Sequence, residues 1–249
     1  MRNGFACFFM AASAMALPAW SQPPAAARAA RAASAPAGPV PRMPDGKPDL
    51  NGLLNGGLSS QDISANLAPG EQIVLTPAAD KLIQSRRPKD DPEANCLPAG
   101  VPRMAPYPWR IVQQATHVFI LFEGNIHSYR QILIDRPHVP EANRWPSWYG
   151  DSVATWDGDT LVIDTVGFND RFWFDAKGHP HTDQLHTIER YTRKDSATLA
   201  VETTIIDPGA YTKPFKLAFT ARYAPKDELM EYICQENNQD VTHIATPAP

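Results

Sequence analysis

Apolar and polar residues alternate with a period of two along much of the chain between Ile111 and Cys234, most clearly in Phe215, Leu217, Phe219, Ala221 and Tyr223. Successive side chains of an extended segment point to opposite faces, so this spacing predicts strands with one buried and one wet side. Eight such strands are legible: Ile111–Phe122, Ile126–Ile134, Ser152–Trp156, Thr160–Gly167, Leu185–Arg193, Leu199–Ile206, Phe215–Tyr223 and Leu229–Cys234. They are joined pairwise at 123–125, 157–159, 194–197 and 224–227, where Gly, Asn, Asp and Pro suit tight turns. Eight antiparallel strands in sequence close most economically into an up-and-down barrel of lipocalin-like shape, which removes sheet edges and leaves room for one small ligand. A two-sheet sandwich is the alternative. Ahead of the strands, Thr76-Pro77 followed by 78–85 predicts one short helix with Leu82 and Ile83 on its buried side.

In a meander, successive connections alternate between the two ends. The tight turns would therefore share one end, and the long connections 135–149, 169–184 and 207–213 the other. Long loops on a rigid scaffold commonly carry binding residues, and a barrel mouth is a normal place for a pocket. The candidates there for holding a ligand are Trp148, Tyr149, Phe172, Trp173, His179, Tyr211 and Lys213. The same aromatic residues could instead pack on one another as a plug.

The start of the chain has a different character. Arg2, an apolar run over 4–17 and the small residues before Gln22 predict a secretory signal peptide at 1–21, too short for a membrane span. Residues 22–48 are mostly Ala, Pro and Arg with few large apolar side chains, as in a disordered linker, leaving a single β-barrel domain over 49–245. The expected destination is the periplasm. Beyond the signal only Cys96 and Cys234 remain, and in an oxidising compartment two cysteines most simply form one disulfide, a reactive Cys234 thiol being the alternative. Of 23 basic and 27 acidic residues, five basic and one acidic lie in 1–48, so the folded part carries 18 against 26, a net of −8. Such a body lacks the positive stripe that phosphate backbones require, which argues against nucleic acid as a partner.

The densest chemical cluster is His179, His181, His186 and Glu189. Three readings of it stay open: an acid/base pair of His181 or His186 with Glu189, a divalent-metal site at His179, His181 and His186, or solvated loop histidines. Charged residues inside the apolar strand phase add to it. Arg130 is in phase with Ile132 and Ile134, Glu189 with Tyr191, and Glu231 with Leu229 and Ile233, so all three would face the lumen. A buried charge needs a partner, which makes Arg130 with Glu189 or Glu231 a candidate ion pair or anion holder. Asp164 takes one face or the other according to whether the turn after Trp156 holds two or three residues. No phosphate loop, nucleophile elbow or redox motif is present, and nothing suggests an organic cofactor.

Pro44-Asp45-Gly46-Lys47-Pro48-Asp49-Leu50, Cys96-x-Pro98-x-Gly100-x-Pro102-Arg103, Gly158-Asp159-Thr160-Leu161-Val162-x-Asp164-Thr165-x-Gly167-Phe168-Asn169-Asp170 and Tyr211-Thr212-Lys213-Pro214 resemble a family of secreted, mostly uncharacterised bacterial proteins. The resemblance runs over nearly the whole mature chain and implies an exported single-domain protein, without a reaction. It departs at Asn51-Gly52-Leu53-Leu54, where relatives read Ser-Gly-Val-Trp. The expectation is an exported, cofactor-free acid/base enzyme of lyase, hydratase, isomerase or hydrolase type, acting on a small, partly aromatic or apolar molecule. His181, His186 and Glu189 would move protons while Arg130 holds an oxyanion. A non-catalytic periplasmic small-molecule binder and a metal-dependent enzyme at the histidines are the alternatives.

Overall fold

The computed structural model describes residues 37–103, 107–124 and 128–236; the expected signal peptide lies outside them. Nine strands close into one barrel: β1 (Gly52–Asn55), β2 (Trp109–Gln113), β3 (His117–Phe122), β4 (Tyr129–Ile134), β5 (Asp151–Asp157), β6 (Thr160–Val166), β7 (His186–Arg193), β8 (Thr198–Ile206) and β9 (Phe215–Tyr223). β1 seals it by pairing antiparallel with both β2 and β9. Inward positions such as Leu54, Trp109, Ile111, Ile120, Ile132, Leu161, Ile163, Tyr191, Val201 and Leu217 form one continuous core. Burying each such side chain contributes roughly 1.5–3 kcal/mol, which is what the period-two pattern encodes.

The barrel thus has nine strands where the alternation predicts eight. The expected strand Ile111–Phe122 is two, because Gln114, Ala115 and Thr116 make a turn in which Gln114 N–H donates to the His117 carbonyl (2.8 Å). The buried phase changes across it, from Trp109, Ile111 and Gln113 to Val118, Ile120 and Phe122. The expected last strand, Leu229–Cys234, is not a strand, and β9's free edge pairs instead with β1, whose Leu53 and Leu54 are buried. Residues 224–236 carry exposed acidic side chains that a core would not accept, and Glu231 is among them. Their anchor is the Cys96–Cys234 disulfide (Cα–Cα 5.6 Å).

Nor is the barrel a simple meander, because β4 and β5 run parallel. Residue 135, at φ 53°, turns the chain out of β4, and the connection 136–150 descends the outer wall to start β5 at the opposite end. It lands beside the 167–185 connection, where Ser147 and Phe168 form a parallel bridge and Asn169 N–H donates to the Ser147 carbonyl (2.8 Å). The three long connections therefore still meet at one end, together with the end of β3 and the start of β4 (residue 125 of the expected 123–125 turn lies outside the described residues), while the turns at 114–116, 158–159 and 194–197 share the other.

The helix α1 spans Pro77–Ser85, capped by Thr76 Oγ1 accepting from Ala79 N–H (3.2 Å). It buries Ala79 and leaves Leu82 exposed, contrary to the expected packing side, since its short stem is tied to the 207–214 loop through Thr76 N–H and the Ala210 carbonyl (2.9 Å). The described part of the expected linker, 37–48, is held to the barrel by polar contacts rather than apolar burial. Arg42 grips Asp159 with two bonds (2.7 and 2.6 Å), and Gly38 N–H donates to Ser196 Oγ (2.7 Å). Among the described residues no helix is long and apolar enough to cross a membrane.

Candidate functional site

Strand β7 divides the candidate chemistry in two. Its residues alternate strictly, so Thr187, Glu189, Tyr191 and Arg193 are buried inside while His186, Ile188 and Arg190 face outward. His186 and Glu189, an odd number of positions apart, cannot share a face, and the expected pairing of the two does not form.

Inside, Glu189 meets Arg130 as the lumen phase predicts, at 2.5 Å with both side chains 1% exposed. Arg130 also donates to Ser152 Oγ (3.0 Å) and Thr165 Oγ1 (2.7 Å), and Tyr191 O–H donates to the second Glu189 oxygen (3.2 Å). Burial opposes the Arg130 charge, yet Glu189 outweighs it and holds the guanidinium above its ordinary value. Burial likewise drives the Tyr191 hydroxyl well up and the Tyr149 hydroxyl, bonded to Ser128, to about 12. A charge pair satisfied this fully is locked as a structural tie across β4, β5, β6 and β7, and Arg130 is spent on it.

Outside, the other histidine builds a chain of a different kind. The turn after Trp156 holds two residues, with Asp157 opposite Thr160, which puts Val153 opposite Asp164 and turns Asp164 outward. Its Oδ1 receives His186 Nε2 (2.9 Å) on one side and His138 Nε2 (3.0 Å) on the other. His138 Nδ1 meets Asp151 Oδ2 (3.0 Å), which also accepts Val139 N–H (2.8 Å) and lies 3.6 Å from Arg144 Nε. His138 thus bridges the two carboxylates through its two ring nitrogens. His186 must carry its proton on Nε2. Its Nδ1 then offers a lone pair, and no described protein group is bonded to it. The His186 and Asp164 side chains are 33% and 41% exposed, which gives a reactant access.

The end where the long connections meet is filled rather than open. Phe172 lies between Phe168 (6.0 Å between centroids), Trp148 (6.5 Å) and His181 (3.8 Å), and Phe174 joins His181 to Tyr211. Three of the expected mouth residues, Trp148, Phe172 and Tyr211, are thus gathered with His181 as a plug, buried except for the partly covered Trp148. Aromatic rings offered a choice between water and one another pack together, and Tyr211 O–H donates to the Pro180 carbonyl (2.7 Å). Burial pushes the His181 ring down to about 4, so it is neutral and enclosed. Its Nδ1 lies 3.1 Å from the Thr182 carbonyl, and among the described residues no hydrogen bond or ion pair joins it to His186 or Glu189.

The remaining candidates are dispersed. Trp173 is buried beneath the Arg86 guanidinium (4.6 Å), and Lys213 and Glu231 are exposed in loops. His179 Nδ1 binds the buried Asp175 (2.6 Å). His179, His181 and His186 therefore occupy three separate settings and make no common ligand set. Among the described residues Asp62, Asp175 and His179 do approach one another within 4.8 Å. Their facing atoms, however, are engaged: Lys177 holds Asp62 (2.6 Å), and Ile63 N–H and His179 hold Asp175. A hollow of about 420 Å³ on the outer face of β7–β9 is lined by Arg190, Lys194, Glu202 and Phe219 and has no imidazole.

His138 and Asp151 are the members of the outer chain that strand phase alone does not flag. His138 sits in a connection without regular structure, and only the parallel crossover carries it to β6. No protein-family model matches this chain, and neither the curated proteins nor the solved structures hold a match to it.

Proposed function

We propose that the protein is an exported acid/base enzyme for a small organic molecule, and that its proton-moving group is the outer chain His186–Asp164–His138–Asp151. One observation supports this: His186 is held by Asp164 through one ring nitrogen, no group among the described residues is bonded to the other, and the side chain is 33% exposed. An imidazole so oriented can remove a proton from a carbon next to a carbonyl, or from a hydroxyl or a water, at Nδ1. The Asp164 carboxylate then stabilises the imidazolium, as an orienting carboxylate does for a catalytic histidine generally. His138, bonded to the same Asp164 oxygen from the far side, helps to fix the position of that carboxylate. Returning the same proton to another atom of the bound molecule completes an isomerisation, elimination or hydration without a cofactor.

Glu189, Arg130 and His181 have no part in this scheme. Export rests on the signal-like start of the sequence and is compatible with the disulfide. The test is a screen of small hydroxy- and oxo-compounds in deuterated buffer with the full chain. Solvent deuterium incorporated or product formed by the wild type should fall by about 100-fold or more in His186→Ala and in Asp164→Asn. Equal rates in wild type and His186→Ala would remove the outer chain as the site.

A further inference from the structure

We infer that the hollow on the outer face of β7–β9 and the outer proton chain are the two ends of one site, whose substrate is an aliphatic hydroxy- or oxo-carboxylate. Its carboxylate sits in the hollow at Arg190 and Lys194, and the far end of its chain reaches His186. The inference rests on the proposed role of His186 and adds to it the class of molecule held there.

Strand register joins the two places. His186, Ile188, Arg190 and Thr192 are successive outward residues of β7, and Lys194 follows at its end. Opposite them on β8 stand Ile206, Thr204, Glu202 and Ala200. On β9, Lys216, Ala218 and Thr220 face Thr204, Glu202 and Ala200 in turn. The hollow, about 420 Å³, takes in the rows of Arg190 and Thr192 together with Lys194. Only the row Ile188–Thr204–Lys216 separates it from His186 on the same face. Two-residue steps along a strand advance about 6.7 Å, so the main chains of Arg190 and His186 lie about 13 Å apart, within the span of an extended chain of about ten carbons.

The residues also say why the hollow is there and what it suits. Ala200 and Ala218 end at their methyl groups, while Arg190, Lys194 and Glu202 around them reach several atoms further out, so small side chains floor a space walled by long ones. Arg and Lys line such a space with apolar stems and keep their charge at the rim. Glu202 is met by Lys216 (3.0 Å), and Arg190 gives one nitrogen to Asp157 (2.7 Å) in a pair that is exposed on both sides. No described group is bonded to the Lys194 ammonium. The hollow therefore offers a guanidinium and an ammonium on a body whose net charge beyond residue 48 is −8, and a carboxylate is the group those two donors hold best. Ile188 lies between the hollow and the imidazole, and Ile206 stands opposite His186, both partly exposed. Methylene groups gain by covering these side chains, whereas a polyol would lose hydrogen bonds to water there.

Ligand-detected NMR titration of the full chain with butanoate, hexanoate, octanoate, decanoate and 1-hexanol tests each end. Affinity should rise about twofold per added CH₂ from butanoate to decanoate, less than full burial would give because the face stays partly open. Hexanoate should bind about fivefold more tightly than 1-hexanol, and Arg190→Gln with Lys194→Gln should remove that difference. Ala218→Leu, which fills the floor, should weaken octanoate about fivefold or more, while Arg87→Gln, an exposed cation elsewhere, should change nothing. Decanoate should shift the His186 ring-proton signals and butanoate should not. All these substitutions are of outward side chains, so far-UV circular dichroism should match the wild type. Equal binding of hexanoate and 1-hexanol, unchanged octanoate affinity in Ala218→Leu, or His186 signals unmoved by decanoate each overturn the inference. Because these readouts are of binding, failure of the proposed chemistry would show separately, as unaltered turnover in His186→Ala while decanoate still bound and moved the wild-type His186 signals.

Discussion

His186 and Glu189 stand three residues apart on one strand and face opposite sides of the barrel wall, the first toward water and Asp164, the second toward Arg130 in the core. Their substitutions should therefore fail in different ways. Removing one member of a buried ion pair strands the other charge, at a cost of about 3–5 kcal/mol. Glu189→Gln should lower the denaturant midpoint by an amount of that order, and Arg130→Met combined with Glu189→Leu should regain much of it. His186→Ala, on a partly exposed face, should move stability by about 0.5 kcal/mol or less. Parallel chemical unfolding of the three variants checks all of this.

How far the chain could be read follows from the same strand. Period-two burial is a local property, so the lumen placement of Arg130 and Glu189, the outer position of His186 and the existence of a barrel were all accessible from spacing. Which strand closes the barrel is not local. Gly52–Asn55 is short and preceded by loops, while Leu229–Cys234 looks like the natural partner of the preceding strand until its acidic residues and its bond to Cys96 are weighed. The direction of β5 was equally hidden, since a long connection reads the same whether it returns to its own end or crosses to the other. The aromatic residues were legible as a group, and of the two readings open for them, ligand lining or plug, Trp148, Phe172 and Tyr211 pack as the plug.

The Cys96–Cys234 disulfide closes a loop with a sequence separation of 138 residues. It pins a segment that has no strand of its own, alongside the stacking of Tyr107 on Tyr232 (6.4 Å) and the bond from Met230 N–H to Glu123 (2.9 Å). On the chain-entropy account a loop of that length is worth roughly 4–5 kcal/mol. Cys96→Ser with Cys234→Ser should lower the melting temperature accordingly, with proteolysis beginning in 224–236 while the nine strands persist. Loss of the whole barrel before any cleavage of that segment would contradict this.

His181 links stability to acidity. Burial lowers its pKa from 6.5 to about 4 in the fold, so between those values the unfolded chain binds a proton that the native chain refuses. The contribution is therefore fully present above pH 6.5 and is lost as pH falls toward 4. At 1.36 kcal/mol per pH unit the loss is about 3 kcal/mol at most. His181→Phe should flatten this part of the curve of unfolding free energy against pH, although every other acid-sensitive group remains. An unchanged slope in the variant would mean that the ring is not the group responsible.

The outer strap offers the last expectation, because His138 is both a link in the proton chain and the clasp of residues 136–150. Its two bonds, to Asp151 and Asp164, tie the strap to β5 and β6 at 3.0 Å each. His138→Ala removes both, while Val139, Arg144 and Ser147 keep their hydrogen bonds and Trp148 and Tyr149 their ring packing. The loss should loosen the strap locally without unfolding the barrel, since no core side chain is touched and local openings draw on few contacts. Hydrogen exchange should quicken across 136–147 by about tenfold, the β7 and β8 amides staying as slow as in the wild type. His138→Gln, whose single amide nitrogen can reach one carboxylate where the ring's two nitrogens reach two, should fall between the two. Exchange in the strap that is fast in the wild type already would show that His138 does not fasten it.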